Sequence, residues 1–200
     1  MKVLVAFEYS GRVRDAFVKQ GHQAVSCDII PTESAGVHVQ MDMWQNGKIV
    51  LPSGEWDILI AHPPCTYLCN SGIRWLYEQP GRWDKMLDAA NLFKALLDVN
   101  IPAIAVENPV MHKHAKIKKC DFSIQPWQFG HGEVKRTCFW TKNLPPLKPT
   151  NIVAGRYPRT YLMSGKDRGK KRSLTYQGIA DAMAAQWNDP KLFYSQPRLV

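Results

Sequence analysis

Residues 56–72 read W-D-I-L-I-A-H-P-P-C-T-Y-L-C-N-S-G, and no other stretch limits the fold as much. Residues 57–61 are short, β-rich and apolar at successive positions, the pattern of a strand buried on both faces. His62-Pro63-Pro64-Cys65 follows at once. Two prolines cannot continue a hydrogen-bonded ladder, so the backbone must leave the sheet there. Cys65 then stands just past the carboxyl end of a central strand, the edge at which open α/β sheets carry their chemistry.

The flanking segments agree with such a sheet. Residues 2–7 (K-V-L-V-A-F) form a buried strand, Glu8-Tyr9-Ser10-Gly11 a tight turn, and residues 12–20 a short helix. That helix has Val13, Ala16 and Phe17 on one face and Gly21 as its stop. Residues 23–27 give a second strand ending at Asp28, and residues 37–39 a brief third before Met41-Asp42. The order β, glycine turn, α, β, acid is a Rossmann-like opening unit. Gly11 lets the backbone come close to a ligand, and the helix start offers free N–H groups. Asp28 can accept hydrogen bonds from ribose hydroxyls. Only one glycine is present, with no G-x-G-x-x-G, and an acid ending a strand also serves as a turn former.

Further along, residues 82–98 have apolar positions 83, 86, 87, 90, 93, 96 and 97, an amphipathic helix whose stripe reads as core. Residues 102–106 are the next buried strand, ending in Glu107-Asn108-Pro109. Residues 122–126 and 137–141 read as the last strands, antiparallel at the far edge. Residues 176–187 form a final helix that packs Ile179, Ala180, Met183 and Trp187 on the body. The expected class is α/β, one domain over 1–200, with a mostly parallel central sheet and an antiparallel edge.

Charge is uneven along the chain. Residues 1–110 carry nine Lys/Arg and twelve Asp/Glu, while residues 111–200 carry seventeen and five. A basic half joined to a near-neutral one points to a polyanion, nucleic acid above all. The densest part lies in residues 142–172, a proline-rich extended loop or arm. There Lys166, Arg168, Lys170, Lys171 and Arg172 would meet phosphates, and Tyr157 and Tyr161 bases. Residues 112–119 read as a further basic surface face. Five cysteines at irregular spacing, no leader pattern and no membrane-length apolar run suit a reducing cytoplasm and argue against a disulfide framework.

A cysteine after a strand is commonly inert core. Cys65 differs because the prolines fix a sharp exit and His62 stands three residues away; as thiolate it would be a nucleophile. Glu107, on a neighbouring strand end, could face the same cleft, stay protonated and donate a hydrogen bond. Arg136 would add a fixed positive charge. Cys, Glu and Arg at one edge suit covalent attack on an electron-poor ring. Zinc is a weaker reading: neither Cys65-x-x-x-Cys69 with His62 nor His112-x-His114 with Cys120 gives the usual paired ligands.

Taken together, these motifs resemble the cytosine-5 DNA methyltransferases, in particular compact members of phage or prophage type. Residues 5–11 (V-A-F-E-Y-S-G) look like the family's cofactor loop, Pro63-Pro64-Cys65 like its nucleophile motif, Glu107-Asn108 like its Glu-Asn motif, and Lys135-Arg136 like its arginine motif. The resemblance implies a Rossmann-like fold that binds S-adenosylmethionine through Phe7, Glu8, Ser10, Gly11, Asp28, Ile29, Asp42, Met43, His62 and Pro63. It implies that Cys65 adds to carbon 6 of cytosine, that Glu107 holds ring nitrogen 3, and that Arg136 steadies the ring oxygen, on a base flipped out of duplex DNA. Thr66 stands where the family has glutamine, Pro109 where it has valine, and Cys138 where it has a second arginine. The arm of residues 142–172 takes the place of a full target-recognition domain. Target choice is therefore open: low, supplied by a partner, or irrelevant to an RNA or nucleotide substrate. Also open are an amino-group methyltransferase, which Cys65 disfavours, and a degenerate fold that only binds DNA.

Overall fold

Alternate residues of the apolar runs point to opposite faces of one sheet, and each face has its own helical cover. In the computed structural model, which describes residues 1–189, the elements are β1 (Lys2–Ala6), α1 (Arg12–Lys19), β2 (Gln23–Asp28), β3 (His38–Gln40), the strands β4 (Trp44–Gln45) and β5 (Lys48–Ile49), β6 (Ile58–Ala61), α2 (Trp75–Glu78), α3 (Arg82–Asp98), β7 (Ala103–Asn108), β8 (Phe122–Ile124), β9 (Thr137–Lys142), α4 (Arg159–Leu162), α5 (Arg168–Ser173) and α6 (Gln177–Gln186). Val3, Val5, Ile58, Ile60, Ala103 and Ala105 pack against Val13 and Phe17 of α1 and Ile179 and Met183 of α6. Leu4, Ala6, Leu59, Ala61, Ile104 and Val106 pack against Met86, Phe93 and Leu96 of α3. Cover on both sides is why these strands show no polar alternation.

The seven-stranded sheet has the order β3-β2-β1-β6-β7-β9-β8, and β4 and β5 pair as a separate antiparallel ribbon. All neighbours from β3 to β7 run parallel. β9 is antiparallel to both β7 and β8, so β8 runs with the rest of the sheet. The class is the expected one, α/β with a mostly parallel sheet and an antiparallel edge. The direction of the strand order reverses between β1 and β6, a topological switch point that opens a crevice at their carboxyl ends. His62 crosses it, donating its backbone N–H to Ala6 O at 3.0 Å.

Three expectations change. The last two strands were both expected to run against the sheet; only β9 does, because it inserts between β7 and β8. The α3 stripe is not wholly core, since Trp83 and Leu87 remain 39% and 53% exposed. Residues 142–172 are not extended throughout, because α4 and the start of α5 lie within them. Glu133, buried, accepts the Thr160 N–H at 2.9 Å, and Lys135 Nζ donates to Arg172 O at 2.8 Å, which ties both helices to the body. Trp187 is fully buried and donates Nε1–H to Pro145 O at 3.0 Å, anchoring the end of α6. Among the described residues, no helix is long and apolar enough to cross a membrane.

Candidate active site

The exits of β6 and β7 are built as one unit. Asn108, buried at the end of β7, donates Nδ2–H to Pro63 O at 3.0 Å, pinning the Pro-Pro exit. Beyond Cys65 the chain makes a helical turn in which Leu68 and Cys69 both donate to Cys65 O at 3.0 Å. It then pairs with the segment leaving β7: His112 N–H reaches Leu68 O at 2.9 Å, and Cys69 bridges Met111. Arg82 adds a clamp from the start of α3, donating to Thr66 O at 3.0 Å with its guanidinium over the Tyr67 ring.

His62 and Glu107 meet in this frame, with Nδ1 and Oε2 3.1 Å apart. Burial pushes the Glu107 carboxyl up, but the His62 hydrogen bond, the His62 charge and Lys135 together outweigh it and hold it below its ordinary value. Glu107 was expected to stay protonated; its shift runs the other way, set by His62 and Lys135 against burial. His62 was expected to face a cofactor; its ring Nδ1 lies against Glu107. Its Nε2 and Asn108 Oδ1 are buried without a hydrogen-bond partner. A narrow cleft reaches this pair, lined also by Lys135, Thr137, Phe139, Thr175 and Tyr176. A wider surface hollow at Met1, Gln23 and Asp57 lies at the opposite edge of the sheet and holds no nucleophile.

Cys65 and Cys69 stand four residues apart on one turn, where Cys69 N–H donates to Cys65 O. The hydrogen bond with Cys65 pulls the Cys69 thiol down to about 5 against the effect of burial, helped by Ser71 Oγ at 3.0 Å and the Gly72 and Ser71 amides. Cys65 is raised by the same bond, by burial and by the Cys69 and Glu107 charges, against Lys135. The two thiols are thus moved in opposite directions, Cys69 toward the thiolate and Cys65 toward the thiol. Cys27 and Cys138 are core thiols, which burial pushes up to about 11 and about 12.

Arg136 is not brought to Glu107. Its side chain is exposed and donates Nε–H to Ser123 Oγ at 3.2 Å, at the β8 edge. Lys135 is the cation that faces the carboxylate. Successive residues entering a strand point to opposite sides, so the choice between them depends on register.

The exits of β1 and β2 are organised differently. Phe7 turns the chain with a left-handed backbone, φ 58°. Glu8 is buried and accepts the Val13 and Arg14 N–H groups at 2.7 and 3.2 Å, so the first turn of α1 is capped by the chain itself. Ser10 Oγ donates to Glu8 and accepts from Arg12 N. Gly11 has φ 73°, and a Cβ there would collide with Ser34 Oγ and the Arg14 guanidinium. The close approach that this glycine permits is thus made by the chain. Arg14, which sequence reasoning missed, is fully buried and donates to Asp15, Ser26, Ser34 and Ala35. Its position beside Val13 on the inner face of α1 was the available signal.

The remaining positions divide. The half-buried Asp28 is raised by burial against the Ile30 and Ile29 amides and His38, and Ile29 beside it is 59% exposed. Asp42 is exposed and accepts Trp44 N–H at 2.9 Å, while Met43 is core. Asp28 with exposed Ile29 and Ile30 fits the adenosine half of a nucleoside cofactor. The space in front of Gly11 does not fit its other end. In the arm, Lys166, Arg168 and Lys171 are exposed, Lys170 pairs with Glu33, and Arg172 is half-buried. Tyr9 OH donates to Lys170 O at 2.8 Å, so α5 lies over the β1 exit. His112, expected on a basic surface, is buried, with Nε2 3.0 Å from Tyr67 O. Among the described residues, no three His, Cys, Asp or Glu side chains are grouped to hold a metal ion.

No family model matches the chain, and no curated protein matches it. Among solved structures it is similar to a DNA modification methyltransferase encoded within a prophage (E. coli), at 14% identity and a TM-score of 0.49, covering 76% of this chain and 52% of that one. It is similar to a methyltransferase of Entamoeba histolytica at 16% identity and a TM-score of 0.45, covering 76% and 57%. A DNMT2 mutant of Spodoptera frugiperda follows at 14% and 0.35, covering 76% and 54%. The chain spans about half the length of these structures. All three likenesses lie below a TM-score of 0.5, and the functional reading rests on the chain's own geometry.

Proposed function

We propose that the protein is a methyltransferase that modifies carbon 5 of cytosine in DNA through a covalent adduct on Cys65. The observation that carries this reading is a nucleophile and a buried His–carboxylate pair on adjacent strand exits, beside the switch point of a mostly parallel sheet. Both groups converge on what such a reaction needs: a sulfur to attack one ring atom, and a proton carrier to neutralise the charge that results.

The chain's residues take the following roles. Cys65 passes its proton to Cys69, whose thiolate is held by Ser71 and the Gly72 amide. The Cys65 sulfur then forms a bond to carbon 6, and the electron pair of the carbon 5–carbon 6 bond moves into the ring. The His62–Glu107 pair, which takes up one proton from solvent as the base enters, delivers it to ring nitrogen 3, which leaves carbon 5 nucleophilic. Lys135 stabilises the carboxylate left behind. After carbon 5 has taken its substituent, its hydrogen leaves as a proton to solvent, ring nitrogen 3 returns its proton to the His62–Glu107 pair, and the electron pair of the broken carbon–sulfur bond returns to Cys65, which retakes its proton from Cys69. Asp28, with Ile29, would hold the adenosine half of S-adenosylmethionine, which when bound supplies an electrophilic methyl group. Lys166, Arg168 and Lys171 would meet DNA phosphates.

The test is incubation with methyl-labelled S-adenosylmethionine and duplex DNA, single-stranded DNA or RNA, followed by nucleoside analysis. Label in 5-methylcytosine, absent with Cys65→Ser, is expected. Label on an amino group, or full transfer by Cys65→Ser, would overturn the reading.

A further inference from the structure

One exposed cluster takes no part in the site. Tyr77 of α2, Trp83 of α3 and His114, in the turn after β7, meet edge to face with ring centroids 5.7, 6.2 and 5.3 Å apart. Tyr77 OH lies 3.2 Å from His114 Nε2, which fixes the arrangement. Aromatic groups held this firmly are ordinarily core, yet Tyr77 is 69% exposed and Trp83 39%. Rigid rings facing water offer π-faces with little ordering left to lose on binding.

The surroundings select the partner. Lys113, Lys116, Lys118 and Lys119 are exposed on the segment that carries His114, and residues 108–120 contain no carboxylate. Glu78 and Asp84, beside Tyr77 and Trp83, are exposed and Asp88 is held by Trp44 Nε1–H at 2.8 Å, so the cations lie on the His114 side of the rings. Rings interleaved with cations suit a strand whose bases stack while its phosphates meet lysines. The cluster also continues the site. Arg82, next to Trp83, is hydrogen-bonded to the carbonyl of Thr66, the residue after Cys65. His114 follows the segment that pairs with residues 68–70.

We infer that Tyr77, Trp83 and His114 form a stacking platform for unpaired bases of a single nucleic-acid strand flanking the base held at Cys65. The placement relative to the substrate base rests on the proposed function; strand binding by the platform does not. Stacking is tolerant of sequence, which suits a chain whose basic arm stands in place of a recognition domain.

Fluorescence anisotropy with a labelled oligothymidylate and a duplex of equal length, over a salt series, tests this. Tyr77→Ala with Trp83→Ala should weaken single-strand binding roughly ten- to a hundredfold. Duplex binding should fall less, and the salt slope should stay unchanged because the lysines remain. Trp83→Phe should keep most of the affinity, separating ring loss from misfolding. Unchanged single-strand affinity in the double variant would overturn the inference. So would a loss confined to self-association in sedimentation, which would mark a contact between two copies. Ring-dependent strand binding without any methyl transfer would leave the platform standing and remove the proposed chemistry.

Discussion

The exits of β1 and β2 and those of β6 and β7 lie on the same edge of one sheet, yet their polar groups are used differently. At the first, Glu8 caps α1, Arg14 fills its donors from Ser26, Ser34 and Ala35, and the hollow over Gly11 is occupied. At the second, His62 Nε2 and Asn108 Oδ1 are buried without partners, and Cys65 and Cys69 lie on one turn with their thiols shifted in opposite directions. Buried polar groups in native proteins are ordinarily satisfied, but such gaps also occur at His22, Arg82 and His112, so what distinguishes the second exit is His62 paired with Glu107 on the strand exit beside Cys65. A glycine turn at a helix start is therefore ambiguous: the free space it creates can be taken by a ligand or by the chain.

Substitutions can sharpen or break this contrast. The largest effect should come from His62→Ala. Removing a positioned proton carrier should lower methyl transfer by about 10²–10⁴-fold per folded molecule, beyond any fall in thermal midpoint from leaving Glu107 unpaired. A drop in stability with normal turnover per folded molecule would make His62 a structural residue like Arg14. Next, Gly11→Ala should cost about 2–4 kcal/mol, from the left-handed backbone and the collision with Ser34 and Arg14, read as a shift in urea midpoint. Gly21→Ala, with nothing near its Cβ position, should cost only about 1 kcal/mol. If Gly11→Ala kept its stability and lost cofactor affinity instead, the first exit would be a ligand cradle after all.

Lys135→Ala should slow transfer by about tenfold, and Arg136→Ala should leave the rate per bound strand within about twofold, because only Lys135 faces Glu107. Equal losses would erase the register argument. The smallest effect concerns pH. Glu107 has a folded value below its ordinary 4.5, so its pairing contributes fully above that pH and is lost as pH falls through the lower folded value. Urea midpoints measured down an acid series should fall less steeply for His62→Gln than for the unaltered chain. Parallel curves would mean that the pair adds nothing to stability.

Much of the frame was legible because it depends on local pattern. The apolar runs that became β1, β6 and β7 were readable since both faces are covered, and α3 and the Val13–Phe17 face of α1 followed from helical spacing. Cys65 and Glu107 were found because proline and strand ends are visible in a sequence. The rest depends on register and on loops from elsewhere. Lys135 and Arg136 are equivalent until the strand they enter is aligned with β7. Arg14 went unread because most of its acceptors come from residues 26–35, which no helical period can place. His62 looked like a cofactor contact until β7 put Glu107 beside it. Cys69 was noted only as a metal candidate, although its spacing from Cys65 already placed both sulfurs on one turn.

The central claim is that the Cys65 sulfur forms a bond to the base. DNA containing 5-fluorocytosine tests it, because the fluorine cannot leave as a proton leaves and the adduct persists. With S-adenosylmethionine present, intact protein and DNA should migrate together under denaturing conditions, and peptide mass analysis should place the link on Cys65, with none in Cys65→Ser. A link on Cys69, or an adduct that survives the loss of Cys65, would contradict the account.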